Sequence, residues 1–99
     1  MAELQNLSDG QFRVSSDLTT ETAPSLWAQS KKLFPPTQAN AITIDISQVI
    51  NVDSGGLALL VAWVRWATFH NKKFQIQGVP KKLDVLIHNN SLEKLFYSA

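Results

Sequence analysis

The sequence contains no cysteine, and this absence excludes disulfide bonds, thiolate metal ligands and thiol catalysis. It also lacks an apolar run near the roughly 20 residues that a membrane-spanning helix needs. The first residues carry no cationic segment followed by an apolar stretch, so we expect no secretory signal. Together these absences predict a soluble, cytoplasmic protein that does not itself insert into a membrane.

An excess of charge of one sign is missing as well. Nine basic residues balance eight acidic residues, which gives a formal net charge of +1. Nucleic-acid-binding proteins gather basic residues on one face, whereas the Lys-Lys pairs of this chain are dispersed at Lys31-Lys32, Lys72-Lys73 and Lys81-Lys82. We interpret these pairs as solvated ends of elements, because cations near a helix C-terminus interact favourably with its dipole. No nucleic-acid partner is expected.

The residues that are present predict one small domain. The 99 residues are 44% hydrophobic and 17% charged, which is ordinary for a globular protein. A chain of this length buries one modest core without a metal or a crosslink. The sequence shows no linker, repeat or low-complexity segment, so we expect a single domain over residues 1–99.

Apolar and polar residues alternate in four segments that we predict to be strands. Residues 3–7 and 11–15 flank Asp9-Gly10, a pair that is typical of a tight hairpin turn. Residues 41–46 and 73–77 alternate in the same way. Each segment therefore has one apolar face, whereas strands covered on both sides are apolar throughout. The pattern predicts a two-layer α/β sandwich, in which a mixed sheet carries helices mainly on one face.

Helical spacing and breaker residues place the helices. Residues 19–21 offer a cap and a first-turn acid to a helix that ends before Pro35-Pro36. A long apolar helix is predicted over residues 54–70. Pro80 is suited to open the next helix, and Ser91 can cap a last short one.

The long helix has more apolar surface than a two-layer domain needs. Its sheet-facing stripe is expected to contain Leu57, Leu60, Val61, Val64, Ala67 and Thr68. A neighbouring stripe contains Leu59, Trp63, Trp66 and His70. This second stripe packs either on an adjacent helix or on another protein. Because tryptophan is enriched in interface hot spots, we predict that Leu59, Trp63 and Trp66 bind a partner, with helix packing as the open alternative.

Ser54 begins the long helix, and a catalytic role for it is not expected. A serine nucleophile needs a base within hydrogen-bond reach, but His70 stands at the other end of the helix, roughly 24 Å away. His88 would reach Ser54 only through an unforeseen fold. The sequence also lacks a phosphate-binding loop and metal-ligand spacing. We predict a non-enzymatic protein with no catalytic residue, cofactor, metal or small-molecule substrate.

Two glycines follow Ser54 where a helix would usually avoid them. Asp53 or Ser54 could cap the helix, but Gly55 and Gly56 each cost it roughly 0.8 to 1 kcal/mol relative to alanine. A cap does not need them. Glycine permits close approach of a partner, or leaves backbone amides free for an anion. A phosphate on Ser54 would be favoured by the helix end and opposed by Asp53. We therefore predict partner contacts at Asp53, Ser54, Gly55 and Gly56, and treat Ser54 as a candidate phosphorylation site.

These residues resemble the STAS domain family. The resemblance rests on the order of the elements, the isoleucine strand ending at Ile46 and the run from Asp53 through Ser54 to Leu57. In anti-sigma factor antagonists of this family the signature is Asp-Ser, then Ser or Thr, then Gly-Leu, and its phosphorylated residue falls on Ser54. Gly55 stands where the second hydroxyl residue is usual, which weakens the implied regulation by a serine kinase.

The MlaB-like group of the family is the more similar one. Its Val-Asp-Thr-Gly-Gly-Leu-Ala-Leu-Leu segment matches residues 52–60 with Ser54 in place of threonine, and Leu26-Trp27 and residues 77–79 also match. The resemblance covers about residues 11–95. In the relative that supplies this match the positions of Trp63 and Trp66 are aliphatic, so their predicted interface role rests on the helical wheel alone.

The resemblance implies a function as well as a fold. It implies a STAS sandwich like that of the anti-sigma factor antagonists. It further implies a subunit that binds the cytoplasmic, MlaF-like ATPase of an ABC phospholipid transporter, which serves outer-membrane lipid asymmetry in Gram-negative bacteria. Ser54 would lie at the ATPase contact, and the subunit would be peripheral to the inner membrane through the complex. The alternative is an anti-sigma factor antagonist switched by phosphorylation of Ser54.

Overall fold

The computed structural model describes residues 3–97. The four strands and four helices of this range begin with a hairpin, alternate between helix and strand, and end with two successive helices. The strands are β1 (Leu4–Ser8), β2 (Gln11–Val14), β3 (Ala41–Asp45) and β4 (Lys73–Gln77). The helices are α1 (Ala23–Leu33), α2 (Ser54–Phe69), α3 (Lys81–Asn89) and α4 (Glu93–Tyr97).

The strands form one mixed sheet in the order β1-β2-β3-β4. β1 pairs with β2 antiparallel, and the β2–β3 and β3–β4 pairs are parallel. The hairpin turn contains Gly10 at φ +76°, a left-handed conformation that favours glycine. Phe12 and Ile44 are buried on one face, while Arg13 and Asp45 lie on the other and form an ion pair at 3.1 Å. The predicted mixed sheet with one polar face is confirmed.

α1 begins later than the sequence pattern predicts. Its N-cap is Thr22, the first turn holds Pro24 and no acid, and residues 19–21 precede the helix. The reason is a local turn, in which Thr22 Oγ1 accepts from Thr19 N–H at 3.0 Å and donates to Asp17 O. This turn occupies the residues that we expected to cap the helix.

α2 occupies the centre of the core, but it buries a different stripe from the predicted one. The buried residues of α2 are Gly56, Leu57, Leu59, Leu60, Trp63 and Ala67. Thr68 is exposed, and Val61 and Val64 are only half-buried. The core stripe is rotated because α2 packs on the sheet and on the end of α1 together. Trp63 shows this, since its ring lies 5.5 Å from that of Phe34 and 6.5 Å from that of Phe74.

The C-terminal elements confirm Pro80 as the N-cap of α3 and correct the role of Ser91. Ser91 has φ +55° and its N–H donates to His88 O at 3.1 Å, while Leu92 N–H reaches back to Ile87 O at 2.9 Å. These hydrogen bonds satisfy carbonyl groups at the C-terminus of α3. A residue in the left-handed conformation commonly ends a helix in this way. Ser91 therefore terminates α3 and does not cap α4, which begins at Glu93. Within residues 3–97, no helix has both the length and the apolar character to span a membrane.

Candidate functional site

Asp53 is the residue that caps α2. Its Oδ1 atom accepts hydrogen bonds from Gly55 N–H at 2.8 Å and Gly56 N–H at 3.2 Å. The same oxygen accepts from Thr20 N–H at 2.9 Å. The Asp53 carboxylate thus satisfies two free amides of the helix start and ties it to the loop before α1.

Because Gly55 and Gly56 have no side chains, residues 18–20 of the same chain can pack against the start of α2. A Cβ atom on Gly56 would overlap the carbonyl oxygen of Leu18, and one on Gly55 would overlap Thr20 Oγ1 and lie 2.5 Å from Thr20 Cα. Residues 18–20 are held there because Leu18 bridges Val52 in parallel fashion. The expectation of free amides for an anion is wrong, since both N–H groups bind Asp53. The close approach that requires glycine is made within the domain.

Ser54 is left with an exposed hydroxyl. It is the first residue of α2, and no hydrogen bond joins its Oγ to another residue of the described chain. The side chain lies on the rim of two neighbouring grooves. One groove, between α2 and the α3–α4 connection, is lined by Ser54, Leu57, Ala58, Val61, Ala62, Arg65, Asn90 and Leu92. The other, between the starts of α2 and α3, is lined by Val52, Asp53, Ser54, Lys81, Lys82, Val85 and Leu86.

We call the accessible part of this region the Ser54 surface. Its members are Ser54, Ala58, Ala62 and Arg65 on α2 together with Lys81, Lys82 and Val85 on α3. The alanines leave the α2 backbone open to close approach, and the Val85 side chain is 47% exposed. The surface therefore combines an exposed hydroxyl, small apolar side chains and flanking cations.

Lys81 and Lys82 were not predicted to belong to a site. The sequence pattern suggested a place near a helix C-terminus, but the structure puts both in the first turn of α3. A cation there faces the positive end of the helix dipole, so the dipole does not explain the pair. Pro80 immediately before them was the sequence signal that they begin a helix. Their side chains instead line the groove beside Ser54.

The three apolar residues that were predicted to bind a partner belong to the interior or its edge. Leu59 is 5% exposed and Trp63 is 0% exposed, so neither side chain contributes to the surface. Trp66 is half-buried, with its ring 5.4 Å from that of Phe34 and stacked 3.9 Å from that of His70. The second stripe is therefore chiefly a contact between α2 and α1, which was the open alternative.

The histidines have contacts of their own on α2 and α3. His70 Nδ1 is 2.8 Å from Trp66 O at the far end of α2, and His88 Nδ1 is 3.8 Å from Asp84 Oδ1 on α3. No group of three or more histidine, aspartate and glutamate residues within residues 3–97 could hold a metal ion. Among the described residues, no histidine or carboxylate is hydrogen-bonded to the Ser54 hydroxyl.

Two groups with shifted pKa values also lie outside the Ser54 surface. On the polar face of the sheet, hydrogen bonds from Ser47, and then the guanidinium of Arg13, lower the pKa of the Asp45 carboxyl. Burial raises the pKa of Tyr97 to about 12, and its hydrogen bond to Asp84 adds to the shift. Both pKa shifts arise from contacts within the sheet and at α4.

Comparison with known proteins agrees with the fold. A family profile described as "Mlab, STAS domain" matches residues 1–97. A solved structure of the anti-sigma factor antagonist SpoIIAA in its unphosphorylated form superposes with a TM-score of 0.67 over 89% of this chain and 82% of that chain. The two sequences are 12% identical, so this likeness concerns the fold. The predicted two-layer STAS architecture is confirmed.

Proposed function

Because this chain belongs to the STAS domain family, by its match to the MlaB-type domain, we propose that it is a non-enzymatic subunit of an ABC phospholipid transporter. STAS domains act through protein–protein interaction. The partner in this proposal is the transporter's ATPase, and the subunit supports assembly and activity of the complex. It would lie on the cytoplasmic side, peripheral to the inner membrane through the ATPase, in an Mla-type system that maintains outer-membrane lipid asymmetry in Gram-negative bacteria.

The observation that carries this proposal is the exposed hydroxyl of Ser54, which has no hydrogen-bond partner within residues 3–97. Asp53 is occupied in capping α2, and Gly55 and Gly56 are occupied in packing against residues 18–20. Ser54 is thus the member of the motif that remains available to another protein. A hydroxyl can donate one hydrogen bond and accept others, so it suits recognition at a contact where water is excluded.

The surroundings of Ser54 support a docking surface. Ala58 is exposed and Ala62 half-buried, so a partner can approach α2 closely along this face. Val85 adds apolar area, while Lys81, Lys82 and Arg65 stand on either side. Interfaces of this composition have an apolar centre and a polar rim. We expect the facing surface of the ATPase to be apolar at its centre and acidic at its edge, which orients the encounter.

Substitution of Ser54 by arginine tests the proposal. Affinity purification of the tagged chain from its native host should recover an ABC ATPase, and Ser54→Arg should abolish that recovery because the long cation occupies the contact. Ser25→Arg is the matched control, since Ser25 is an exposed serine in the first turn of α1. Recovery of a kinase directed at a sigma-factor regulator, with no ABC ATPase, would overturn the proposal.

The second candidate function is an anti-sigma factor antagonist switched by phosphorylation of Ser54. It is favoured by the accessibility of the hydroxyl and by Lys81 and Lys82 in the same groove, which could pair with a phosphate. It is opposed by the neighbouring Asp53 carboxylate, which already binds the Gly55 and Gly56 amides. Mass spectrometry of the cellular protein distinguishes the two, because the switch requires phosphoserine at Ser54 under some growth condition.

A further inference from the structure

The two edges of the sheet are protected to different degrees. At the β1 edge the pairing register shifts between Asn6 and Ser8, and the N–H of Leu4 donates to Gln29 Oε1 of α1 at 2.8 Å. An irregular strand and a covering side chain are devices that keep an edge from pairing with another chain. The β1 edge is therefore partly protected against a further strand.

The β4 edge has no shift of register, and within residues 3–97 no side chain is hydrogen-bonded to its outer main-chain groups. β4 pairs with β3 over five consecutive residues without a register shift. Lys73 N–H donates to Asn40 O at 2.9 Å, and Gln77 O accepts from Ile46 N–H at 2.9 Å. Because hydrogen-bonding direction alternates along a parallel strand, the N–H and C=O groups of Phe74 and Ile76 point away from β3. Within residues 3–97 no hydrogen bond outside the sheet ladder occupies them.

A groove runs beside this edge, between β4, the second half of α2 and α4. Its volume is about 330 Å³, and it is lined by Val64, Thr68, Lys72, Lys73, Phe74, Gln75, Lys94 and Leu95. The lining contains three lysines and no acid. Lys72 Nζ donates to Thr37 O at 3.1 Å and to Ala39 O at 2.6 Å, whereas Lys73 and Lys94 are exposed and form no ion pair within the described residues.

We propose that the β4 edge and this groove bind an extended acidic segment of a partner protein, which joins the sheet as a fifth strand. Strand addition takes its affinity from main-chain hydrogen bonds and its specificity from pockets for alternate side chains. Phe74 and Ile76 supply the main-chain groups. The apolar lining from Val64 and Leu95 accepts apolar side chains, and Lys73 and Lys94 select acidic ones.

The positive charge of this site favours an acidic strand over other occupants. Lysine on an edge strand discourages pairing with neutral or basic strands, but it attracts an acidic one. A second copy of this chain would bring its own Lys73 against the first, so self-pairing through β4 is unfavourable. The site lies near Thr68, roughly 21 Å along α2 from Ser54, and the proposal is independent of the transporter function.

A synthetic peptide tests the proposal directly. The probe is a hexapeptide that alternates glutamate with valine and is blocked at both ends, titrated into the ¹⁵N-labelled full chain. We expect amide shifts at Phe74, Ile76, Lys94 and Leu95, and slower hydrogen exchange at the Phe74 and Ile76 amides. The Lys73→Glu/Lys94→Glu double variant should bind at least about tenfold more weakly, because reversed charges now oppose the probe.

Matched controls make the result decisive. Lys31→Glu/Lys32→Glu changes the net charge equally at two exposed lysines on the last turn of α1, and it should keep the affinity. A lysine–valine hexapeptide should not bind. The proposal is overturned by absence of glutamate–valine binding, by shifts confined to other elements, or by equal binding of both peptides. Binding of phosphatidylglycerol vesicles that is lost in the Lys73→Glu/Lys94→Glu variant, without peptide binding, would assign the site to a lipid surface instead.

Discussion

Asp53 and Ser54 are adjacent, yet their side chains differ in the contacts that they make within the described residues. The Asp53 carboxylate binds three backbone N–H groups, two at the start of α2 and one at Thr20. The Ser54 hydroxyl binds none of the described residues. In the proposed function, the first residue holds the motif in place and the second meets the partner.

Alanine substitutions should separate these roles. Asp53→Ala should lower the free energy of unfolding by about 0.5 to 2 kcal/mol, the usual cost of losing an N-cap. Ser54→Ala should change it by less than about 0.5 kcal/mol, as for exposed positions with no structural bond. Urea denaturation of both variants and the parent chain measures the difference. A larger loss for Ser54→Ala than for Asp53→Ala would mean that the cap is misassigned.

Gly55→Ala gives a second prediction at the residue scale. In an open helix this change gains roughly 0.8 to 1 kcal/mol, but here the added Cβ would overlap Thr20 Oγ1 and press on the Thr20 backbone. We expect a loss of about 1 to 3 kcal/mol, typical of overpacking. The measurement is again urea denaturation. Ala58→Gly, at an exposed position of the same helix, is the control and should lose only its helix propensity. A stabilised Gly55→Ala protein would contradict the packing against residues 18–20.

At the scale of elements, the strands could be predicted from sequence and the buried face of α2 could not. In residues 41–46 and 73–77, apolar and polar side chains alternate. A strand in a two-layer sheet has one buried and one exposed face, so this alternation predicts the strand and its buried face. A helical wheel shows only that α2 has a wide apolar surface. Which part of it faces the sheet depends on where α1 ends, and Phe34 settles this by packing against Trp63 and Trp66.

The two tryptophans of α2 should therefore behave differently. Trp63→Ala should cost about 3 to 5 kcal/mol, because it removes a fully buried ring from the core. Trp66→Ala should cost less than about 3 kcal/mol, since its ring is half-buried. Thermal or chemical denaturation of the two variants checks this. Equal costs would contradict the assignment of Trp63 to the core and Trp66 to its edge.

The contact between α3 and α4 has a spectroscopic signature. The hydroxyl of Tyr97, the one tyrosine of the chain, donates to Asp84 Oδ1 at 2.7 Å. Its pKa is raised to about 12 from the model-compound value of 10.0. A raised pKa means that the folded state holds the proton more tightly, so this stabilisation is present below pH 10 and lost as the pH rises toward 12.

Tyrosinate absorbance in an alkaline titration of the folded chain reports this group alone. We expect a midpoint near the raised value, with Asp84→Asn moving it downward because the negative charge is removed. A midpoint at the model-compound value in the folded parent would show that the contact between Tyr97 and Asp84 is absent in solution.

At the scale of the whole molecule, the two proposed binding surfaces lie toward opposite ends of α2. The Ser54 surface is at its start, and the β4 edge with its lysines is beside its second half. A domain with both surfaces can contact two segments of one partner, or two partners, without the contacts overlapping. Loss of binding at one surface should leave the other intact.

Only part of the Ser54 surface could be predicted from sequence. Ser54 was found because its motif lies at a recognisable boundary between a strand and a helix. Lys81, Lys82 and Val85 were missed because they come from α3, and only the fold brings α3 beside the start of α2. The sequence pattern assigned the space beside the glycines to a partner, whereas residues 18–20 of the same chain fill it. These residues are 35 or more positions away in sequence, so no local pattern predicts the contact.

Site-specific photo-crosslinking at the Ser54 surface tests the central claim most directly. A photoreactive amino acid placed at Ala58 in the full chain, expressed in the native host, reacts with whatever protein faces α2. The proposed function predicts a crosslink to an ABC ATPase that disappears when Ser54→Arg is added, while the same probe at Ser25 gives none. A crosslink to a kinase or anti-sigma factor, or equal ATPase crosslinking from Ser25, would contradict it.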